Sequence, residues 1–127
     1  MAYFFHIAGW IIFMYNLSKN LVLKKNKNFQ TVYRLGKSYA NRMLVVYILK
    51  RNDQHSKVGF AAGKKLGNAV TRNRVKRLLR EVYRLNQFQL IKGIDLLLVG
   101  RKNLTTVKYT VAEKAFLDIA KKANILE

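Results

Sequence analysis

Apolar and polar positions change rhythm several times along the chain, and each rhythm predicts an element. From Ala69 onward, turning each residue by 100° puts Val75, Leu78, Leu79, Val82 and Leu85 on one side. Arg72, Lys76, Arg80 and Arg84 form an i, i+4, i+8, i+12 row on the other, with Asn73 and Arg77 beside it. The pattern predicts a helix to about Leu90, with one face for a core and the other for anions. Gly67 supplies a tight turn into this helix, and Asn68 is a good N-cap whose side chain accepts from the free amides of the first turn. Upstream, Phe29, Val32 and Tyr33 fit a short helix, with Asn28 available as cap and Gly36 as stop. Met43 to Leu49 is an unbroken apolar run, which predicts a strand covered on both faces. Arg51, Asn52, Asp53 and Gln54 read as a turn and Lys57 to Ala62 as a second strand, the pair most simply forming an antiparallel hairpin. Gly93 resets the chain before the nearly all-apolar strand Ile94 to Val99. Leu104 to Tyr109, rich in Thr and Val, is a candidate for a further short strand. A capping box, Thr110 with Glu113 three residues on, opens a last helix through Phe116, Ile119, Ala120 and Ala123.

The order helix, strand, strand, helix, strand, helix predicts an α+β fold, an α-β sandwich in which helices cover a small, mainly antiparallel sheet around a central basic helix. A chain of 127 residues makes one domain with one modest core. Its 50% hydrophobic content separates it from disordered basic proteins. The domain is assigned to residues 21–127, and residues 1–20 stand apart. Met1 to Leu17 is uncharged and mostly apolar. No cation precedes this run and no small-residue cleavage site follows it, so it does not read as a secretory signal. It is also short of the roughly 20 apolar residues that a membrane span needs. It reads as an extension unrelated to the domain, such as one arising from an upstream start codon, with a membrane anchor as the alternative.

Charge changes the picture most. With 25 Lys+Arg against 6 Asp+Glu, the net charge is +19, and no acid occurs before Asp53 or between Asp53 and Glu81. Self-repulsion of that size is tolerated mainly opposite a polyanion. Cations stacked at one-turn spacing point the same way, since a solvated surface helix usually interleaves Glu with Lys and this one has only Glu81.

Candidate chemistry is thin by comparison. The absence of cysteine excludes disulfides and Cys-based zinc sites. Asp53, Glu81, Asp95, Glu113, Asp118 and Glu127 are spread singly, whereas a metal-dependent phosphodiesterase needs converging carboxylates or an activated histidine. His6, in the apolar extension, and His55, in a turn, read as incidental. There is no HExxH, no Gly-rich phosphate loop and no Ser-His-Asp signature. The chain reads as a binder that serves a catalyst made of something else. On periodicity alone, Phe29, Tyr33 and Tyr47 read as core residues.

The run Gly67, Asn68, Ala69, Val70, Thr71, Arg72, Asn73, Arg74, Val75, Lys76, Arg77, preceded by Lys64 and Lys65, resembles the RNR motif of the bacterial ribonuclease P protein subunit. Phe29, Val32, Tyr33, Gly36, Ser38, Ala40, Asn41 and Arg42 resemble that family's opening helix and first strand. The resemblance covers about Lys24 to the C-terminus. It implies a left-handed crossover around the central helix, against the usual right-handed rule. It also implies a cytoplasmic endoribonuclease in which an RNA subunit and its magnesium ions cut precursor tRNA at the mature 5′ end. The protein, one per RNA, binds that RNA and the leader and supplies no metal ligands. Carried over by position, Arg72, Asn73, Arg74, Lys76, Arg77 and Arg80 contact the RNA subunit, with Lys64, Lys65 and Asn68 in support. Phe29, Tyr33 and Tyr47 face the single-stranded leader, with Lys25, Lys27, Arg34 and Lys37 on its phosphates. Stacking a base on an aromatic face is worth about 1–3 kcal/mol and needs no particular sequence. Tyr47 is expected to share its strand face with Met43 and Val45.

Three rival readings fit parts of the pattern. A ribosomal or other structural RNA-binding protein suits the charge and size, and what separates it is the Phe29/Tyr33 pair beside the RNR run. A DNA-binding protein would lay the Arg72 to Arg84 face in a major groove, but nothing else here resembles a helix-turn-helix. A stand-alone metal nuclease is opposed by the scarcity of carboxylates.

Overall fold

The computed structural model describes residues 26–51 and 56–127, with residues 26–28 described by their backbone only. Helix α1 (Asn26–Leu35) leads into β1 (Lys37–Ala40), β2 (Leu44–Lys50) and β3 (Val58–Ala62). A single 3₁₀ turn, Lys64–Leu66, precedes α2 (Ala69–Asn86), which is followed by β4 (Ile94–Gly100), a second 3₁₀ segment at Lys102–Thr106, and α3 (Tyr109–Lys122). The segment 1–20, His6, Lys25, His55 and the turn residues Asn52, Asp53 and Gln54 lie outside the described residues, as does the side chain of Lys27.

The four strands form one sheet in the order β1-β2-β4-β3. β1 and β4 pair antiparallel to β2, whereas β3 runs parallel to β4. This corrects the expected hairpin between β2 and β3, because β4 lies between them. The reason is burial: every residue of β4 except the half-buried Val99 is buried, so it belongs at the centre, where both of its faces are covered. α2 then connects the parallel pair as a β-α-β crossover. The end of β2 and the start of β3 flank the start of β4, and Asp95 is the peg at that point. Its carboxylate accepts from the Lys57 N–H at 3.0 Å and from Arg51 Nη1 at 3.1 Å. Ser56 Oγ accepts from the Gly93 N–H in the same corner, at 3.1 Å.

β1 adds a fourth strand to the three expected from the apolar pattern, where the family resemblance placed a first strand. Its sequence, KSYA, is mostly exposed on both faces, so it lacks the apolar alternation that reveals a strand. Ladder pairing from Lys37↔Ile48 to Ala40↔Val45 holds it in place. Asn41 then closes the turn into β2, its Oδ1 accepting from the amides of Met43 and Leu44 at 2.9 and 3.1 Å. The candidate strand at Leu104 to Tyr109 does not form: Leu104, which is buried, Thr105 and Thr106 end the 3₁₀ segment, and Tyr109 begins α3. The expected capping box also does not form. α3 begins at Tyr109 with Lys108 as an N-cap that makes no side-chain bond. Glu113 is drawn elsewhere, accepting from Tyr109 Oη at 2.7 Å and Asn86 Nδ2 at 2.9 Å. Burial, and then this bond to Glu113, push the Tyr109 phenol well above its ordinary pKa.

The main core lies between the sheet and the pair α2/α3. Leu44, Val46 and Ile48 from β2, Leu96 and Leu98 from β4, and Val58 from β3 meet Val75, Leu79, Phe116 and Ile119 there. α2 approaches β4 closely enough that a Cβ on Gly100 would sit 2.4 Å from Val75 Cγ1. Tyr83 and Asn86 are buried along with Val75, Leu79 and Val82, whereas Leu78 is partly buried against the core and Leu85 is half-buried. α1 covers the opposite face of the sheet, where Val32 packs on Leu97.

Candidate nucleic-acid interface

Two surfaces follow from this architecture. The first is the sheet face under α1. Because side chains alternate along strands, Val45, Tyr47 and Leu49 of β2 point there with Leu97 and Val99 of β4 and Ala61 of β3. Val32 is buried against this face, and Phe29 packs half-buried beside it. Tyr33, one turn on from Phe29, is 58% exposed, yet its ring centroid lies 5.0 Å from that of Tyr47. Burial, and then the neighbouring Tyr33, raise the Tyr47 phenol above its ordinary pKa. Phe29, Tyr33 and Tyr47 therefore come together on one apolar floor that α1 covers only in part, leaving Val45, Val99 and Ala61 half-open. Met43 does not share that face. It precedes β2 and packs against the main core, because the strand begins one residue later than its apolar run. Arg34 and Lys37, expected around the aromatics, are exposed at the end of α1 and the start of β1.

The second surface is α2. Gly67 enters it with φ at +139°, a conformation that favours glycine, and Asn68 caps it by accepting from the Thr71 N–H at 3.0 Å. The side-chain oxygen of Asn68 is thus occupied by the helix itself. Asn73, Lys76, Arg77 and Arg80 are exposed along one side. Several cations of α2 nevertheless have partners within the protein. Arg72 Nε donates to the Ala62 carbonyl at 3.1 Å, and Arg74 Nη1 donates to the Thr105 carbonyl. The Arg80 guanidinium lies 5.6 Å from the centroid of the Phe60 ring, and Arg84 is paired with Glu81 at 2.6 Å.

A rim of cations joins the two surfaces where β2 begins and β3 and β4 end. Leu44 and Ala62 both pair with Gly100 at that end of the sheet. Lys64 and Lys65 are exposed on the turn after β3, Arg101 and Lys102 directly after β4, and Arg42 just before β2. Arg101 Nη1 reaches back to the Asn41 carbonyl at 3.0 Å, tying two of these loops together. Arg42, Arg101 and Lys102 were not among the expected site residues. Loop cations carry no periodicity, and only the topology places them beside Lys64 and Lys65. The carboxylates are dispersed: Asp95 sits with Arg51, Glu81 with Arg84, and Asp118 with Lys114. Among the described residues, no group of three or more His, Cys, Asp or Glu side chains is assembled to hold a metal ion.

A small α+β domain with a cationic helix, a cationic rim and a partly open aromatic floor belongs to the class of nucleic-acid-binding proteins. Comparison with known proteins narrows the class. The family model for ribonuclease P matches residues 17–124. The ribonuclease P protein component of Natranaerobius thermophilus is 44% identical over 111 residues, covering 87% of this chain and 96% of that one. Its counterpart in Clostridium botulinum is 46% identical over 104 residues, covering 81% and 94%. Among solved structures, the Staphylococcus aureus RNase P protein superposes with a TM-score of 0.75 at 30% identity, covering 84% of this chain and 98% of that one. The Thermotoga maritima protein superposes with a TM-score of 0.71 at 30% identity, covering 79% and 94%. The chain belongs to the ribonuclease P protein family.

Proposed function

We propose that this chain is the protein subunit of endoribonuclease P, binding the catalytic RNA through α2 and the 5′ leader of precursor tRNA through the floor under α1. The observation that carries the proposal is the juxtaposition of exposed Asn73, Lys76 and Arg77 with a separate, partly open floor holding Phe29, Tyr33 and Tyr47. Arginine and lysine suit an A-form backbone read by charge and shape, while aromatic faces suit unpaired bases of varying sequence. Lys64, Lys65, Arg101 and Lys102 lie between the two and continue the cationic path from one RNA to the other.

The protein's part is electrostatic and positional. Precursor tRNA and the catalytic RNA repel each other, and a chain of charge +19 set against both releases counterions and lowers that repulsion. Magnesium supplies Lewis-acid chemistry when bound with the RNA subunit. The side chains of this protein bind and orient, one copy per RNA, in the cytoplasm. No helix among the described residues is long and apolar enough to cross a membrane. The test is to incubate precursor tRNA with the protein alone, a bacterial ribonuclease P RNA alone, and both. Cleavage at the mature 5′ end should require the RNA and gain most from the protein at low magnesium. Site-specific cleavage by RNA-free protein would end this reading, and binding without stimulation would favour a purely structural RNA-binding role.

A further inference from the structure

We propose that Arg72 is a positioning residue: it fastens α2 to the strand that floors the aromatic cleft and does not itself neutralise an RNA phosphate. The inference rests on the reading that α2 faces the catalytic RNA. Residues 72 and 74 are separated by 200° around the helix, so their side chains leave opposite flanks. Arg72 Nε grips the carbonyl of Ala62, the last residue of β3, and Arg74 Nη1 grips the carbonyl of Thr105 in the segment after β4. Asn73 between them is exposed, and Lys76 and Arg77, one turn on, are exposed with it. The pair of arginines braces the first turns of the helix from both sides.

The anchor point gives the brace its consequence. Along β3, Phe60 and Ala62 turn toward α2, while the alternate residue Ala61 lies on the cleft floor with Tyr47 and Val99. A bond from Arg72 to the Ala62 carbonyl therefore sets the height of the RNA-facing helix against the strand that carries the leader floor. One short strand fixes the distance between the two binding surfaces, and Arg72 transmits it. Arg72 is also half-buried, unlike the exposed Lys76 and Arg77.

Arg72→Gln separates a brace from a phosphate ligand. The glutamine amide nitrogen sits as many bonds from Cα as arginine Nε, so this variant keeps a donor for the Ala62 carbonyl and loses the charge. Arg72→Ala loses both. The first measurement is amide hydrogen exchange in the free full chain. Arg72→Ala should speed exchange in the first turns of α2 about fivefold, the effect of one lost hydrogen bond, while Arg72→Gln stays near wild type. The second is affinity for the catalytic RNA across a salt series. Arg77→Gln should reduce the slope of log K against log salt by about 0.7–0.9, as expected for one lost phosphate contact. Arg72→Gln should keep the wild-type slope, and Arg72→Ala should bind about fivefold more weakly at an unchanged slope. A slope loss in Arg72→Gln matching that of Arg77→Gln overturns the proposal, as does wild-type exchange in Arg72→Ala. If the wild-type chain does not bind the RNA at all, the functional reading falls, and the exchange arm still decides whether Arg72 braces the helix.

Discussion

Tyr33 leans on Tyr47 across two elements, with ring centroids 5.0 Å apart and ring planes tilted by 56°. One ring comes from α1 and the other from β2, so the contact joins the helix to the floor it covers. A pair of this geometry is worth about 0.5–1.5 kcal/mol beyond the area it buries. It also leaves Tyr33 mostly in water. On the proposed leader-binding role, an incoming base would meet an aromatic edge that is already assembled and needs little reordering to be used.

Tyr33→Ala should therefore melt within about 1.5 kcal/mol of wild type, since the residue removes little core and one aromatic contact. Its affinity for precursor tRNA with a long leader should drop by about 1–3 kcal/mol per lost stack, and its affinity for a leaderless substrate should not change. Phe29→Ala should show the same leader dependence with a larger loss of stability, because Phe29 packs beside buried Val32. Binding measured on both substrates, with a thermal melt of each variant, checks this. A normal melt combined with an unchanged affinity ratio would remove the aromatic floor from the leader's path.

Lys76→Ala and Arg77→Ala act on the other surface. Each removes an exposed cation of α2, so each should flatten the salt dependence of binding to the catalytic RNA by about 0.7–0.9, and the double variant by about twice that. These losses should be the same with long-leader and leaderless substrate. A leader-dependent loss would place these two residues on the substrate instead.

The parts of the fold that were legible in the sequence are those decided locally. The 3.6-residue rhythm of α2, the Asn68 cap and the turn at Gly67 all depend on residues within a few positions of one another, and they stand as read. The strand order depends on a comparison between distant segments. β4 takes the centre because it is apolar on both faces, and a rule that pairs sequential strands does not weigh that. β1 carries almost no apolar signal and exists because β2 offers it an edge. The bonds of Arg72 and Arg74 were illegible for another reason: their acceptors are backbone carbonyls of Ala62 and Thr105, which no side-chain pattern reports. Phe29, Tyr33 and Tyr47 read as core by pattern, and family resemblance raised them to candidate ligand contacts.

Tyr83 should make stability fall at alkaline pH. Burial, and secondarily the nearby Asp95 carboxylate, push its phenol from 10.0 up to about 12. The folded state thus holds the proton more tightly than the unfolded chain. This advantage is complete below the unfolded value near 10 and is lost as pH rises through the folded value near 12. The loss should reach on the order of 2–3 kcal/mol. Tyr83→Phe, which keeps the ring, should flatten this part of the curve relative to wild type in urea titrations between pH 9 and 12. Parallel curves for the two proteins would show that the phenol does not titrate with unfolding.

Asp95 offers a sharper test, because it ties the topology to that titration. Asp95 is 2% exposed and its carboxylate accepts from the Lys57 amide and the Arg51 guanidinium, so it ties the residue after β2 to the residue before β3. Asp95→Ala leaves the Lys57 amide without this acceptor and should cost about 2–4 kcal/mol. Asp95→Asn keeps one acceptor oxygen and should cost about half as much, losing mainly the charge-assisted bond to Arg51. The cationic rim lies at the other end of the sheet, where Leu44 and Ala62 meet Gly100, so RNA affinity measured well below the melting temperature should be unaffected. The neutral amide also removes the negative charge beside Tyr83. The Tyr83 phenol should then titrate at lower pH than in wild type, though still above its ordinary value because burial is the larger cause. Tyrosinate absorbance during an alkaline titration, with Tyr83→Phe as the subtraction control, reads that shift directly. An Asp95→Asn protein with full stability and an unmoved Tyr83 titration would mean that Asp95 neither pegs the β2 to β3 connection nor faces Tyr83.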